Sequence, residues 1–433
     1  MKKARQMAVK ALLRVEEDGA WSNLVLAGAM EEGVLDSRDK AFTSALFYGT
    51  LSRLITLDTC IAAYSSKAVA KIDPVIRAIL QTGFYQLLYM PSVPERAVLH
   101  EAVALTKTMR KTSAGGFVNA VLRAFLRSGR KIPTPRSSEA DSFSVEYSCS
   151  GDIVRILLDA YGEADVQAIL KESLQIPPVF LRVNSLKICT EELIARLSAQ
   201  GIEAAEDDLL PCCLRLKDHG AVAATVEFRE GLFHIQDRSS QLCSIALGAR
   251  PGDRILDSCA APGGKSFSIA AAMENRGELV AADLHAHRIG LIEKRAKEMD
   301  FSCIRTLNAD MSEPVESLGK FDRVLCDVPC SGLGVMRRRP ELKYRPPQSE
   351  NLSGIQYNIL GTSSNYCKNG GTLLYSTCTL IPKENEEVAD RFLREHPEFV
   401  PVALPGIGSA RKLIMPGENG GDGFFMAAFQ RVS

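Results

Sequence analysis

The sequence predicts an α/β protein whose mostly parallel sheet follows an all-helical domain and a small α+β module. Three observations support this fold class. Apolar residues recur at helical spacing through the first part of the chain, a segment of mixed helices and strands follows, and from residue 231 short apolar runs alternate with helical stretches. Strands that alternate with helices form parallel sheets, because each connecting helix returns the chain to the edge where the previous strand began.

Residues 1–139 are predicted to form the all-helical domain. One predicted helix carries a repeating apolar face, Ile76, Ile79, Leu80, Gly83 and Leu87. Asp73 and Pro74 precede this face as a start signal, because Asp caps free backbone amides and Pro is tolerated at the first helical position. Pro94 is a second start signal of the same kind.

A Pro- and Ser-rich stretch at 130–142 is typical of a linker. Residues 140–230 are predicted to form the α+β module, from a helix at IVRILLDAYG, a strand at PVFLRVNSL and a helix at EELIARLSAQG. Residues 231–433 are predicted to form the domain with the parallel sheet. Its strands come from five apolar runs, RILDSCA, GELVAADL, SCIRTLNAD, FDRVLCDVP and GGTLLYSTC.

Charge is sorted along the chain although the 52 basic and 52 acidic residues balance. Residues 1–140 hold 20 Lys and Arg against 12 Asp and Glu, so this part is basic and the remainder is acidic. A basic domain indicates a polyanionic partner only weakly, and a solvated basic surface explains the charge equally well.

The cysteine and hydropathy patterns exclude several classes of protein. Twelve cysteines without C-x-x-C spacing, together with six scattered histidines, favour reduced thiols and argue against a disulfide framework or a metal site. No stretch is long and apolar enough for a membrane span, and Lys10 and Arg14 interrupt the N-terminal segment where a signal peptide would be apolar. We expect a monomeric cytoplasmic protein that binds neither metal nor membrane.

Four of the predicted strands end at or just after an acid or a cysteine, which predicts a ligand site beyond their carboxyl ends. The stretch ILDSCAAPGGKS joins a strand to a helix through small residues that let backbone amides approach a ligand. It is neither a Walker A loop nor G-x-G-x-x-G, which removes support for a triphosphate or pyrophosphate ligand.

Two acids follow that loop on successive strands. Asp283 stands twenty residues after Gly263, at the distance where an acid commonly accepts hydrogen bonds from ribose hydroxyls, and Asp310 ends the next strand. This pattern suits a nucleoside without phosphate, such as S-adenosylmethionine. The alternative is that both acids are merely polar strand ends.

The stretches LDSCAAPGGKS, AADLHAHR, DVPCSGLGVMRRRPELKY, YSTCTLIPKENE and GDGFFMA resemble those of RNA cytosine-5 methyltransferases of the Fmu/Sun type. The N-terminal GGFVNAVLR resembles the NusB-like RNA-binding domain that precedes them in bacterial enzymes acting on small-subunit ribosomal RNA. The resemblance implies a Rossmann-like methyltransferase sheet, S-adenosyl-L-methionine as cofactor, and 5-methylcytosine in 16S ribosomal RNA as product.

The resemblance also implies roles for single residues. Cys378 in the Thr-Cys motif would be the nucleophile that adds to carbon 6 of cytosine, and Cys330 in the Pro-Cys motif would assist release of the product. Lys265 and Asp327 would face the cofactor and the target base. Positions that match cofactor contacts are Asp257, Cys259, Ala260, Ala261, Pro262, Gly263, Gly264, Lys265, Asp283, Arg288, Asp310 and Asp327.

The chemistry requires such residues independently of the resemblance. Carbon 5 of cytosine is a poor nucleophile, so a thiolate must first add at carbon 6. A lone cysteine at a strand end is more often a small core residue, and Cys243, Cys303 and Cys326 are assigned to packing. Cys330 and Cys378 are exceptions because each lies in a motif of the family at a predicted strand end.

Two stretches depart from the family. Residues 147–154, YSCSGDIV, lack the usual Pro and Trp, and Arg339 and Tyr344 stand where His and Trp are frequent.

The cluster Arg337, Arg338 and Arg339 is expected to contact phosphates together with the helical domain. A transfer RNA substrate is one alternative, and an RNA-binding assembly or antitermination factor with a vestigial methyltransferase fold is another.

Overall fold

The structure is a computed structural model that describes residues 2–17, 19–32, 35–134, 138–217, 222–345 and 351–433. The chain divides into two compact units. The first unit extends to Gln175 and includes a later segment that begins at Met336, and the second contains Ile176–Val335 and the rest of the chain to Ser433. These units do not decide the boundaries of the three predicted domains, which stay predictions.

The described part of the first unit is helical, as the sequence predicts. Its α-helices are α1 (Lys2–Glu17), α2 (Ser22–Glu32), α3 (Ser37–Leu51), α4 (Leu54–Tyr64), α5 (Pro74–Tyr89), α6 (Glu95–Thr108), α7 (Gly115–Arg127), α8 (Glu139–Tyr147), α9 (Gly151–Tyr161) and α10 (Glu163–Glu172). Both start signals are confirmed. The Asp73 carboxylate accepts a hydrogen bond from the Val75 amide at 3.0 Å as α5 begins at Pro74, and α6 follows Pro94 directly.

The apolar face predicted for α5 lies in the core of this unit. Ile76, Ile79, Leu80 and Leu87 are buried among residues of α4, α6 and α7. Within the predicted linker, residues 135–137 lie outside the described residues, and α8 begins inside it at Glu139.

The second unit opens with a four-stranded antiparallel sheet and two helices. The elements are β1 (Phe180–Val183), α11 (Thr190–Ser198), β2 (Ala204–Glu206), β3 (Cys213–Leu216), α12 (Val226–Arg229) and β4 (Phe233–Ile235). The strand order is β2-β3-β1-β4. The predicted strand PVFLRVNSL is β1, and the predicted helix EELIARLSAQG is α11. The other predicted helix of this stretch, IVRILLDAYG, is α9 of the first unit.

The larger sheet of the second unit contains all five predicted strands. Its elements are α13 (Arg238–Ala246), β5 (Arg254–Asp257), α14 (Gly264–Ala272), β6 (Glu278–Asp283), α15 (Ala286–Glu298), β7 (Ile304–Asn308), β8 (Phe321–Asp327), α16 (Leu352–Ser364), β9 (Cys367–Thr377), α17 (Glu386–Glu395), β10 (Phe399–Pro401), β11 (Arg411–Ile414) and β12 (Phe424–Arg431). The order is β10-β12-β9-β8-β5-β6-β7, with β11 paired to β12.

Strands β5 to β9 are mutually parallel, and β12 joins β9 antiparallel. The chain runs outward from β5 through β6 and β7, then crosses to β8 and β9 on the other side of β5. Such a reversal of strand order leaves a crevice at the carboxyl ends of the central strands, where open α/β sheets bind ligands. No helix in the described part of the chain is both long and apolar enough to span a bilayer.

The segment from Met336 to Arg345 follows β8 in chain order but lies in the first unit. Lys343 anchors it there. The Lys343 side chain is fully buried, and its Nζ donates to the backbone oxygens of Ser52 and Tyr147 at 2.8 and 2.7 Å. Burial lowers the pKa of this lysine to about 7.

The two departures from the family meet in this same unit. The Tyr344 hydroxyl accepts from the Leu54 amide at 3.1 Å, donates to the Leu51 carbonyl at 2.8 Å, and lies 3.2 Å from the Ser148 Oγ. Ser148 in turn accepts from the Ile55 amide at 2.9 Å. Tyr344 and Ser148 therefore belong to one hydrogen-bonded cluster that holds the segment against the helices.

Candidate active site

The carboxyl ends of β5, β6 and β8 bring acids to one edge of the larger sheet. In the sheet register Asp257 pairs with Leu325 of β8, Asp327 pairs with Ser376 of β9, and Asp283 ends β6. Because these strands are parallel, their carboxyl ends face the same side of the sheet. The predicted site residues on β5, β6 and β8 therefore lie at the switch of strand order.

The loop after β5 turns on Gly263, which caps α14 in the left-handed region at φ 104°. A Cβ at this position would lie 2.4 Å from the Phe267 ring, so only glycine fits without a shift. The Gly263 amide donates to the Ala260 carbonyl at 2.7 Å, and the Ala260 amide donates to the Ala282 carbonyl at 2.8 Å. The loop is thereby fastened to the end of β6.

The remaining loop positions differ in exposure. Cys259 is half-buried against the core, and burial raises its pKa well above the ordinary value. Pro262 is exposed, whereas Ala261 and Gly264 are half-buried. This exposure leaves a surface of small side chains and backbone beside the strand ends.

Asp283 is held in place by two backbone amides and lies near one arginine. Its carboxylate is 5% exposed, accepting from the Ala261 amide at 3.2 Å and from the His285 amide at 3.0 Å. The Arg288 guanidinium lies 3.6 Å from it. Asp310 is placed differently, because its exposed carboxylate accepts from the Ser312 amide and hydroxyl at 2.9 and 2.6 Å, hydrogen bonds that lower its pKa.

Asp257 is buried at the centre of the edge. Its Oδ2 accepts from the Ser266 hydroxyl at 2.6 Å, whereas its Oδ1 has no hydrogen-bond partner among the described residues. Burial raises the pKa of this carboxyl to about 7. Burial therefore favours the protonated form of this carboxyl more than in an exposed aspartate.

Lys265, Asp327 and Ser376 form a three-residue polar group. The Lys265 Nζ donates to Asp327 Oδ2 at 2.7 Å, and the Ser376 Oγ donates to Asp327 Oδ1 at 2.8 Å. Burial alone would lower the pKa of Lys265, but the charge and the hydrogen bond of Asp327 together with the nearby Cys243 and Cys378 outweigh it, and the pKa lies above its ordinary value. Lys265 therefore stays protonated and fixes the orientation of the Asp327 carboxylate.

The structure brings Cys330 and Cys378 together. Their sulfurs are 3.2 Å apart, and the Cys378 amide donates to the Cys330 Sγ at 3.3 Å. The hydrogen bond with Cys378 and then burial raise the pKa of the Cys330 thiol well above its ordinary value. Both thiols are half-buried, whereas Cys243, Cys303 and Cys326 lie in the core as predicted.

Sequence reasoning missed three residues that support this cluster, Ser376, Glu384 and Asn385. All three are buried and hydrogen-bond to Asp327 or to neighbours of the two cysteines. The signal was present in YSTCTLIPKENE, because buried polar residues next to a strand end need partners. Within the described residues, no group of His, Cys, Asp and Glu side chains is arranged to hold a metal ion.

The arginine cluster lies in the first unit, and only part of it is accessible. Arg337 is buried and ion-paired with Glu172 at 2.6 Å, so the expectation that it contacts phosphate was wrong. Arg339 lies 4.9 Å and Arg345 5.6 Å from the centroid of the Trp21 ring, which is 40% exposed.

Three family models match the chain in sequence order. The NusB family matches residues 2–127, the ferredoxin-like domain of RsmF/B-like methyltransferases matches residues 153–223, and the model described as 16S rRNA methyltransferase RsmB/F matches residues 244–430. The predicted fold class, with a NusB-like helical region and a Rossmann-like methyltransferase sheet, is confirmed.

Known proteins are similar to this chain over all or most of its length. The probable ribosomal RNA small subunit methyltransferase B of Bacillus subtilis (strain 168) is 36% identical, covering 99% of this chain and 98% of that protein. The crystal structure of PH0851 matches in fold with a TM-score of 0.85 at 24% identity, covering 100% and 99% of the two chains. A methyltransferase homolog from Pyrococcus horikoshii is 26% identical with a TM-score of 0.59, covering 68% of this chain and 99% of that one.

Proposed function

Since the chain belongs to the RsmB/F family of 16S rRNA methyltransferases, we propose that it methylates carbon 5 of a cytosine in 16S ribosomal RNA through a covalent cysteine intermediate. One observation carries the cytosine-5 chemistry: two cysteines at the ends of neighbouring strands place their sulfurs 3.2 Å apart beside an Asp–Lys pair. A methyltransferase acting on a nucleophilic nitrogen or oxygen has no need of a thiol nucleophile.

The loop and strand ends fit S-adenosyl-L-methionine. Gly263 keeps side-chain bulk out of the loop, and the buried Asp283 carboxylate is suited to accept hydrogen bonds from ribose hydroxyls, with Arg288 beside it. When bound, S-adenosyl-L-methionine supplies the electrophilic methyl group. Asp257, with one oxygen unpartnered, adds a second acceptor at the same edge.

Each residue of the site has a separate role in the proposed reaction. The Cys378 Sγ bonds to carbon 6 of cytosine, and the electron pair of the 5,6 double bond moves to carbon 5, which then takes the methyl group. Asp327, held by Lys265 and Ser376, accepts a hydrogen bond from the exocyclic amino group and orients the ring. Loss of the carbon-5 proton to solvent water restores the double bond, and the electron pair of the carbon–sulfur bond returns to Cys378 as a thiolate. Cys330 lies in contact with the departing sulfur and assists this release.

Contacts to RNA come from the first unit in this proposal. Trp21 is 40% exposed, and the guanidinium groups of Arg339 and Arg345 lie over its ring. An aromatic ring with neighbouring cations suits an unpaired base and its phosphate. The target cytosine must leave its stack to reach Cys378, which favours a loop or an unfolded segment of RNA.

The test is methyl transfer to defined RNA. Full-length protein incubated with tritiated S-adenosyl-L-methionine and 16S ribosomal RNA should label the RNA, and nucleoside analysis should place the label in 5-methylcytidine. Transfer RNA serves as the competing substrate, and the Cys378→Ala variant as the inactive control. Label in another nucleoside would reject the cytosine-5 chemistry, and label in transfer RNA alone would reject the substrate.

A further inference from the structure

We infer that Glu384 and Asn385 are positioning residues that hold the Cys330 loop (residues 328–334) against the Cys378 loop (residues 377–381). This inference rests on the function proposed above. The two residues are adjacent in the chain, just before α17, and both are buried. Asn385 binds the residues on both sides of Cys378 directly, whereas Glu384 binds one neighbour of Cys330 directly and the other through Gln356.

Glu384 and its partner Gln356 anchor the neighbours of Cys330. The Glu384 Oε2 accepts from the Ser331 amide at 2.9 Å and from the Gln356 Nε2 at 2.8 Å. The same Gln356 Nε2 donates to the Pro329 carbonyl at 2.9 Å. The residues immediately before and after Cys330 are therefore tied to one buried carboxylate, directly or through one amide group.

Asn385 anchors the neighbours of Cys378 in the same manner. Its Nδ2 donates to the Thr379 carbonyl at 3.0 Å, and its Oδ1 accepts from the Thr377 hydroxyl at 2.5 Å. The residues before and after Cys378 are thus tied to one buried amide. Because Glu384 and Asn385 are joined by a peptide bond, the two sets of anchors cannot move independently.

Direct contacts also join the two loops. We call the two loops, together with Glu384, Gln356 and Asn385, the clamp. The Ser331 Oγ lies 2.6 Å from the Thr379 Oγ1, and the Gly334 amide donates to the Cys378 carbonyl at 2.9 Å. Catalysis by two groups acting on one base requires their separation to be fixed, because a displacement of about 1 Å can cost about a hundredfold in rate. Glu384 and Asn385 have no place among the reacting atoms and act only through the cysteines.

The first test measures the separation of the thiols without RNA or cofactor. Diamide takes up two electrons and the two thiol protons as the Cys330–Cys378 bond forms, and peptide mass mapping identifies this product among those of the twelve cysteines. We expect Glu384→Ala to slow this cross-link about tenfold, the scale of one lost charge-assisted hydrogen bond. Glu384→Gln should recover the rate, because its amide oxygen still accepts from Ser331. Glu387→Ala, an exposed position on α17, is the matched control.

The second test measures how the reaction partitions. Glu384→Ala should accumulate protein covalently joined to RNA, because the release cysteine is displaced while the Cys378 anchors remain. Asn385→Ala should lose the adduct and the product together. The inference would be overturned if both alanine variants formed the Cys330–Cys378 cross-link at the wild-type rate and gave the wild-type ratio of covalent adduct to methylated product.

These measurements distinguish a failure of the proposed function from a failure of the inference about Glu384 and Asn385. If the wild-type protein transfers no methyl group, the proposed function fails while the cross-linking rates still test the clamp. If Glu384→Ala does not fold, Gln356→Ala takes its place, since it removes the donors to Glu384 and Pro329, and an unchanged cross-linking rate in that variant would also overturn the inference.

Discussion

Cys330 and Cys378 present the same functional group to one small space, and their surroundings separate their roles. The raised pKa of Cys330 keeps its proton in place at neutral pH, so it lies beside the second sulfur as a neutral thiol. Asp327 is held by one charged and one neutral donor, which leaves its orientation fixed. These contacts fit the proposed roles, in which Cys378 attacks first as the nucleophile and Cys330 later assists release.

The two cysteines should therefore fail in opposite ways when replaced. Cys378→Ala should bind RNA and S-adenosylmethionine but form neither methylated RNA nor a covalent complex. Cys330→Ala should still permit attack and methyl transfer but stall release, so protein accumulates on RNA in a cofactor-dependent manner. In the double variant the early defect should mask the late one.

A denaturing gel with labelled RNA measures this difference directly. The slow-moving band should be present for Cys330→Ala and absent for Cys378→Ala and for the double variant. The reverse pattern would exchange the two roles, and no band in any variant would remove the case for a trapped intermediate.

Asp283 should control cofactor affinity. Asp283→Ala removes a buried carboxylate that is proposed to accept from ribose hydroxyls, and it should weaken S-adenosylmethionine binding by about 1.5 to 3 kcal/mol, the range for hydrogen bonds to charged groups. Isothermal calorimetry on the folded variant measures this loss. Glu313→Ala, an exposed acid after β7, is the control, and equal affinity in the two variants would contradict the placement.

At the scale of elements, the register of β8 and β9 places Asp327 opposite Ser376 and so builds the polar group next to the thiols. The segment from Met336 to Arg345 shows a different effect, because it leaves this sheet and is held by the helices of the first unit. Its anchor is a buried lysine whose Nζ donates to the backbone carbonyls of Ser52 and Tyr147.

This anchor should make stability depend on pH. The folded-state pKa of Lys343 is lowered from 10.5 to about 7, so the unfolded state binds more protons between those values. Stability from this group is therefore present above pH 10.5 and is lost as pH falls towards 7, by up to about 1.4 kcal/mol per pH unit.

Denaturant unfolding between pH 7 and 10 tests this dependence in the wild type and in Lys343→Met. The free energy of unfolding of the wild type should rise with pH relative to that of the variant. Lys71→Met, an exposed lysine of the same unit, should run parallel to the wild type. Parallel curves for Lys343→Met and the wild type would mean that Lys343 stays charged when buried.

At the scale of the whole molecule, charge is sorted so that the first 140 residues are basic and the rest are acidic. RNA affinity should therefore come chiefly from the first unit, as phosphate contacts release counterions. Deleting residues 1–139 is a poor test, since Ser52 and the neighbouring helices would be lost as partners of the buried Lys343. Single substitutions in the full chain avoid this problem.

Trp21 provides a direct probe because it is the only tryptophan in the sequence. Binding of a 16S RNA fragment should change its fluorescence, since the ring is 40% exposed and lies beside Arg339 and Arg345. Arg339→Gln should lower the slope of log affinity against log salt by about one. Arg337→Gln is the matched comparison, because this buried arginine is paired with Glu172. Unchanged emission at saturating RNA would place the RNA elsewhere.

The sequence by itself determined the element types and the general location of the site. Helical periodicity with Asp73 and Pro74 located α5, and alternating apolar runs located β5 to β9, because these signals depend on local spacing and capping. Strand ends marked by Asp283, Asp327 and Cys378 pointed to one edge of the sheet, since parallel strands share the direction of their carboxyl ends.

Only the tertiary structure decided which of these residues meet and which partners hold them. The 3.2 Å separation of the two sulfurs requires the pairing of β8 with β9, which no local pattern encodes. The burial of Arg337 and Lys343 depends on a segment packing against helices far away in sequence. The physical reason is the same in each case: desolvation and long-range hydrogen bonding act on residues that are neighbours in space, whereas sequence patterns report only residues that are neighbours along the chain.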